Sequence, residues 1–269
     1  MSQAWTSFQV VIKSILFSCF LFVLVGCHQE RMVFHAESIP QNFKYEFSNP
    51  HEEVFIPITN EVKINGLLFK ASNSKGLVFY LHGNSGTLKD WGTIADLYLN
   101  NNYDFFIMDY RQFGKSSGII DKEKDMYNDI QVVYDSIQSM YHYQEKNIVV
   151  VGYSIGTGFA AKLTADNQPK QLVLKAPYYS IPNLINQSYK AVPHFIIKYK
   201  LPTFRYLKEV KVPVTIFHGD KDKTIPIKSS YKLKKRFKTT DSLIVMPGNG
   251  HGGFHGNEIY QNGMVKILE

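Results

Sequence analysis

"VGYSIGTGFA" (residues 151–160) places three glycines around Ser154, directly behind the apolar run Ile148-Val149-Val150. Two local structures fit these letters. A strand that turns sharply into a helix needs small neighbours around a strained serine, and such a turn lifts the hydroxyl out as a nucleophile. Alternatively, Ser154 is the N-cap of an ordinary helix that glycines allow close to a sheet. The spacing Gly152, Ser154, Gly156 does not separate the two by itself. Its surroundings do.

Working outward, short apolar runs bounded by turn residues predict strands at 77–83, 104–110, 147–153, 171–177, 212–219 and 242–248. Amphipathic patterns between them predict helices near 88–100, 121–141, 155–166, 227–237 and 254–268. Continuous apolar strands alternating with helices imply an α/β fold, a mostly parallel sheet covered on both faces. Ahead of this pattern, residues 54–71 read as paired strands with Asn65-Gly66 as the hairpin turn. Residues 181–211, with three prolines and interspersed aromatics and lysines, break the rhythm and read as a small helical insertion over the catalytic edge. The chemistry of such a sheet is to be sought in the loops beyond the carboxyl ends of its strands.

The front of the chain is different in kind. After Lys13, residues 14–26 form a nearly unbroken apolar run of signal-peptide length, shorter than the roughly 20 residues that span a bilayer. The run ends in Leu24-Val25-Gly26-Cys27, which resembles the lipobox of bacterial lipoproteins. That resemblance implies a signal peptide over 1–26 and a lipidated Cys27, which leaves a tether over 27–50 and one folded domain over 51–269. An uncleaved signal anchor is the alternative. Cleavage would remove Cys19, so no internal disulfide would form and the core alone would hold the fold. The expected location is extracytoplasmic and membrane-anchored; His28, in place of the aspartate tied to inner-membrane retention, favours the outer membrane.

The formal net charge is +7, with lysines densest over 229–238. No nucleic-acid motif accompanies them, so the expected partner of this charge is a membrane surface, with no nucleic acid. The oligomeric state is not legible.

A serine hydroxyl is a weak nucleophile near neutral pH and needs a base, itself oriented by a carboxylate. Both occur in the right loops: Asp220-Lys221-Asp222 follows the strand at 212–219, and Asn249-Gly250-His251 follows the strand at 242–248. "LHGNSG" (81–86) follows the first central strand, and the amides of Asn84 and Ile155 are the expected oxyanion donors.

"LHGNSG", "DYRQFGKSSG", "GYSIGTG", "FHGDKDKTIP" and "GNGHGGF", in this order, resemble the α/β-hydrolase superfamily. More narrowly they are similar to its small-capped serine hydrolases, the group that includes protein depalmitoylases. The resemblance implies a Ser-His-Asp hydrolase of carboxylic esters or thioesters, its partner a small-molecule or lipid-like acyl ester, that uses no metal and no organic cofactor. It implies Ser154 as nucleophile, His251 as general base and acid, and Asp222 as orienting carboxylate, because the family's acid lies four residues after the histidine of its HG pair, here His218-Gly219. Gln112 stands where the family usually shows glycine.

The competing readings are plainer. His251 could be a surface turn residue, with His255 its rival; His82 and His218 read as loop supports. Gly248, Gly250 and Gly253 satisfy a dinucleotide-loop spacing, but too little chain follows for the ribose-binding acid. Gly114-Lys115-Ser116 lacks the leading glycine of a P-loop, and HGGFH lacks the glutamate of a zinc helix. Tyr178, Tyr179 and Phe195 are the expected substrate-binding residues. A peptidase or acyl-protein thioesterase on the same three residues, and a non-catalytic binding lipoprotein of the same fold, are the alternative functions.

Overall fold

Strands form where β-branched and aromatic residues run without interruption. In the computed structural model, which describes residues 29–188 and 192–269, a short helix α1 (Gln29–Val33) precedes β1 (His51–Pro57), β2 (Lys63–Phe69) and β3 (Leu77–Leu81). Then come α2 (Leu88–Trp91), α3 (Asp96–Leu99), β4 (Asp104–Met108), α4 (Glu123–Met140), β5 (Ile148–Tyr153) and α5 (Gly156–Asp166). The second half holds β6 (Gln171–Lys175), α6 (Ile181–Ser188), α7 (Thr203–Tyr206), β7 (Val214–Gly219), α8 (Lys228–Lys234), β8 (Ser242–Met246) and α9 (Glu258–Leu268). The signal-peptide and lipobox readings, Cys27 included, lie outside the described residues. Among the described residues no helix is long and apolar enough to cross a membrane.

The eight strands form one sheet in the order β1-β2-β4-β3-β5-β6-β7-β8. β1 and β2 pair antiparallel, as do β2 and β4, and every later pair is parallel. This is the α/β-hydrolase fold. Alternation along each buried strand feeds two cores: Ile148 and Val150 of β5 pack with Ile130, Val133 and Phe159 on one face, Val149 and Val151 with Tyr80, Phe217 and Met264 on the other. Each such fully buried aliphatic side chain contributes about 1.5–3 kcal/mol, as an upper figure, which is why these strands need no alternating polar residues.

Three expectations are corrected. The first hairpin turns at Thr59–Glu61, where the Thr59 hydroxyl accepts the Glu61 and Val62 amides at 3.2 and 3.1 Å, and not at Asn65-Gly66. Those two residues lie inside β2, where the Phe106 ring occupies the space a Gly66 Cβ would need. The helix expected at 88–100 is broken into α2, a 3₁₀ turn at 92–94 and α3, because the Thr93 hydroxyl turns back to the Asp90 carbonyl at 2.7 Å. The stretch read as a tether over 27–50 is fastened to the domain at three points from Phe34 onward. Phe34, Ile39 and Tyr45 are buried, and the backbone at Glu37 and Ile39 pairs with Gly114 at 2.8 and 3.0 Å.

Gln112, the departure from the family pattern, has φ +65°. That left-handed geometry is the reason glycine suits the position. Gln112 holds it with its own side chain, whose Oε1 accepts the Ile120 amide at 2.9 Å. Gln112→Ala keeps the strained backbone and loses this bond, so it should lower stability by about 1 kcal/mol, whereas Gln112→Gly should recover most of that loss. Urea denaturation of the three proteins measures both differences.

Candidate active site

The carboxyl ends of β3, β5, β7 and β8 bring the chemistry to one edge of the sheet. Ser154 follows β5 in left-handed backbone geometry, φ +53°, a conformation that costs a serine of order 1–3 kcal/mol. The turn is possible only because its neighbours are small. A Cβ on Gly152 would meet the Gly156 carbonyl at 2.6 Å and Ala160 at 2.7 Å, and one on Gly156 would meet the Leu81 carbonyl at 2.2 Å. The Ser154 amide donates to the Lys175 carbonyl of β6 at 2.9 Å, which fixes the turn to the neighbouring strand. Ser154 is therefore the apex of a strand-turn-helix, and no side-chain cap of α5 is formed.

His251 reaches this serine from the loop after β8. Its Nε2 lies 3.0 Å from Ser154 Oγ and its Nδ1 lies 2.8 Å from Asp222 Oδ2. The partners set the tautomer: Nδ1–H donates to the carboxylate, leaving Nε2 to accept the serine hydroxyl. Asp222 Oδ1 accepts the amides of Thr224 and Ile225 at 2.9 and 2.8 Å. Burial opposes ionisation of Asp222, but hydrogen bonds from His218, His251 and the Ile225 amide outweigh it and hold the carboxyl well below the usual carboxylate range. The other candidates have different work. Asp220 accepts the Gly248 amide at 2.7 Å and pins the β8 loop, and His255 points away to Lys175 at 3.0 Å.

The remaining elements hold the loop after β3. Ile155 follows Ser154 in the turn, and Gly83, next to Asn84, lies against it, so that a Cβ on Gly83 would be 3.7 Å from Ser154 Cβ; among the described residues neither the Asn84 nor the Ile155 amide donates to a protein acceptor. The loop is braced by His82, whose Nε2 faces buried Asp109 at 3.4 Å, and by the Tyr110 hydroxyl, which donates to the His82 carbonyl at 3.0 Å. Burial raises the Asp109 carboxyl, offset in part by His82 and the Leu88 amide.

His218, read from sequence as a loop support, is one: its Nε2 stands 3.2 Å from Asp222 Oδ2 and donates to the Ile225 carbonyl at 2.8 Å, so it steadies the loop that carries the acid. Two contributors were not anticipated from sequence. Tyr153 donates to the His251 carbonyl at 3.1 Å, and its ring lies 5.4 Å from the imidazole. Lys175 is fully buried, bonded to the Tyr80 hydroxyl and His255 Nε2 at 3.0 Å each, with the rings of Tyr80, Tyr153, Phe254 and Tyr260 between 4.7 and 5.3 Å from its Nζ. Burial drives its pKa well down, and burial together with Lys175 pushes His255 down to about 2.

The expected substrate-binding residues do not converge. Tyr178 is sealed beneath α5, its hydroxyl on the Ile155 carbonyl at 3.1 Å, so it supports the serine turn from below. Tyr179 stacks on Phe204 at 4.5 Å in a groove of about 500 Å³ that Pro182, Pro202 and Tyr206 also line. Phe195 projects into solvent.

Relatives agree with this architecture. The uncharacterized protein YfhR of Salmonella typhi is 24% identical over 96% of this chain and 95% of its own. Human alpha/beta hydrolase domain-containing protein 17B is 26% identical over 66% of this chain and 61% of its own. Among solved structures, the Pyrococcus furiosus esterase Pf2001 superposes with a TM-score of 0.70 at 19% identity, covering 87% of this chain and 97% of that one. Est1E from Butyrivibrio proteoclasticus, solved with ferulic acid bound, gives 0.64 at 19% identity over 80% and 96%. Residues 72–206, half of the chain, match the Hydrolase_4 model, described as serine aminopeptidase, S33. The chain belongs to that family of α/β-hydrolases.

Proposed function

We propose that the protein is a serine hydrolase of carboxylic esters or thioesters, of the small-capped group that includes protein depalmitoylases, held at a membrane by an acylated Cys27 that follows a cleaved signal peptide. The observation that carries the catalytic reading is the continuous relay Asp222–His251–Ser154, at 2.8 and 3.0 Å, next to two backbone amides without an acceptor.

In this reading Ser154 Oγ attacks the acyl carbonyl while His251 Nε2 takes its proton, and the amides of Asn84 and Ile155 receive the oxyanion of the tetrahedral intermediate. The intermediate collapses, the C–O or C–S bond breaks, and His251 returns the proton to the departing alkoxide or thiolate. Water, deprotonated by the same nitrogen, then attacks the acyl-serine and frees the carboxylic acid. Asp222 stays ionised throughout and stabilises the imidazolium.

The family description makes a peptidase the second reading. The same relay serves either bond, so comparing ester, thioester and peptide substrates on the wild type separates the two readings.

Fluorophosphonate labelling should mark the wild type and vanish in Ser154→Ala, and that variant should lose at least about 10⁴-fold in kcat/KM on chain-length p-nitrophenyl esters. Labelling retained in the variant would refute the nucleophile.

Asp222→Asn should lower kcat by roughly 10³–10⁴-fold, because its amide presents a donor to Nδ1 and favours the wrong tautomer. The same variant tests the acid's electrostatics. A carboxyl depressed in the folded state adds stability that is full above the ordinary carboxylate range, about pH 4, and is lost as pH falls below it towards the native value. The urea midpoint of the wild type should accordingly drop more steeply between about pH 5 and pH 3 than that of Asp222→Asn.

A further inference from the structure

Among the described residues, the three most exposed large apolar side chains are Phe195 at 84%, Met32 at 67% and Ile119 at 66%. They gather at one place. Met32 lies on α1. Phe195 sits in the 3₁₀ turn His194–Ile196, whose Ile196 carbonyl accepts Gln29 Nε2 from α1. Ile119 lines a cavity of about 710 Å³ together with Glu30, Arg31, Phe34 and Lys198. The next most exposed, Met140, ends α4 and shares no contact given for this group.

The attachment of α1 is specific. Gln29 clamps the insertion with two bonds, donating to Ile196 and accepting the Lys198 amide at 2.8 Å. Lys198 in turn is bound to Glu30 and, at 3.1 Å, to Asp121. The other end of α1 meets the oxyanion loop: the Asn84 side chain donates to the Val33 carbonyl at 3.3 Å, and the His35 amide donates to the Asn84 carbonyl at 2.9 Å. Cys27 precedes Gln29 by two residues, a distance that an extended chain covers in about 7 Å. An acyl chain on Cys27 therefore cannot carry the membrane more than a few residues from this spot.

Solvent-exposed apolar groups beside exposed Arg31, Lys122, Lys198 and Lys200, against acidic Glu30, Asp121 and Glu123, are the composition of a surface that sits in a headgroup region. We propose that α1, the 194–196 turn and the 117–120 loop form a bilayer-docking face, with Met32, Ile119 and Phe195 entering an anionic lipid surface. The face lies against Asn84, so the catalytic edge meets the membrane, and the substrates are acyl esters or thioesters presented at that surface. The docking face rests on the membrane-anchored reading of Cys27, and the substrate class rests in addition on the hydrolase reading.

The test uses the full chain reconstituted into phosphatidylcholine–phosphatidylglycerol vesicles containing doxyl-labelled lipid. Phe195 and Met140 are both exposed, so Phe195→Trp and Met140→Trp each add an indole without disturbing the core. Relative to the parent chain, the indole of Phe195→Trp should be quenched at least about threefold more than that of Met140→Trp, and adding Met32→Asp and Ile119→Asp should abolish the difference. A chain that floats with the vesicles while both indoles are quenched alike keeps the anchor and overturns the docking face. A chain that does not float overturns both. A dimer in sedimentation with the indole of Phe195→Trp shielded from the labelled lipid assigns the face to a second copy and also overturns the proposal. In every case fluorophosphonate labelling reports the hydrolase reading separately.

Discussion

The catalytic edge depends on one strained residue held between two strands. Ser154 keeps a left-handed backbone because its amide is bonded to the Lys175 carbonyl on one side and its flanking glycines let α5 close against β3 and β5 on the other. The strain is local, and the restraint is distributed over the parallel core. Any loosening of the β5–β6 register would let the turn relax and carry the hydroxyl away from His251. The two buried faces of the sheet are thus part of the site, since they supply the rigidity against which the turn is bent.

A second dependence runs through the loops. Asp222 is fixed by two amides and by His218, and His251 is fixed by Asp222 and by Tyr153. Each group in the relay is oriented by a neighbour that does not itself meet a substrate in the reaction as proposed. Asp109 and His82 do the same for the loop of Asn84. Three loops that are distant in sequence therefore approach one another with little freedom of their own, which is what a bond-making geometry demands.

Much of this was readable from residues. The apolar runs located the parallel strands because a strand buried on both faces has no polar alternation to obscure it, and the loop residues Ser154, Asp222 and His251 stand directly after such runs. What failed was local chemistry overruled by packing. Asn65-Gly66 has the letters of a tight turn, yet a glycine in a strand also makes room for a ring, here that of Phe106. The segment at 34–50 has no regular period, so nothing in the letters showed that Phe34, Ile39 and Tyr45 would be enclosed by distant parts of the chain. Tyr178 was expected to bind substrate, but the side chain turns inward under α5. A lysine in "QLVLKAP" gave no hint that four aromatic rings from four separate segments would close around it.

That enclosed lysine has a further consequence. An amine kept from water, with its basicity lowered and no carboxylate beside it, is a latent nucleophile rather than a surface cation. A reagent in water reaches the Lys175 amine only when a ring around it moves aside, so the lag of its acylation behind that of the surface lysines measures how firmly Tyr80, Tyr153, Phe254 and Tyr260 are kept together.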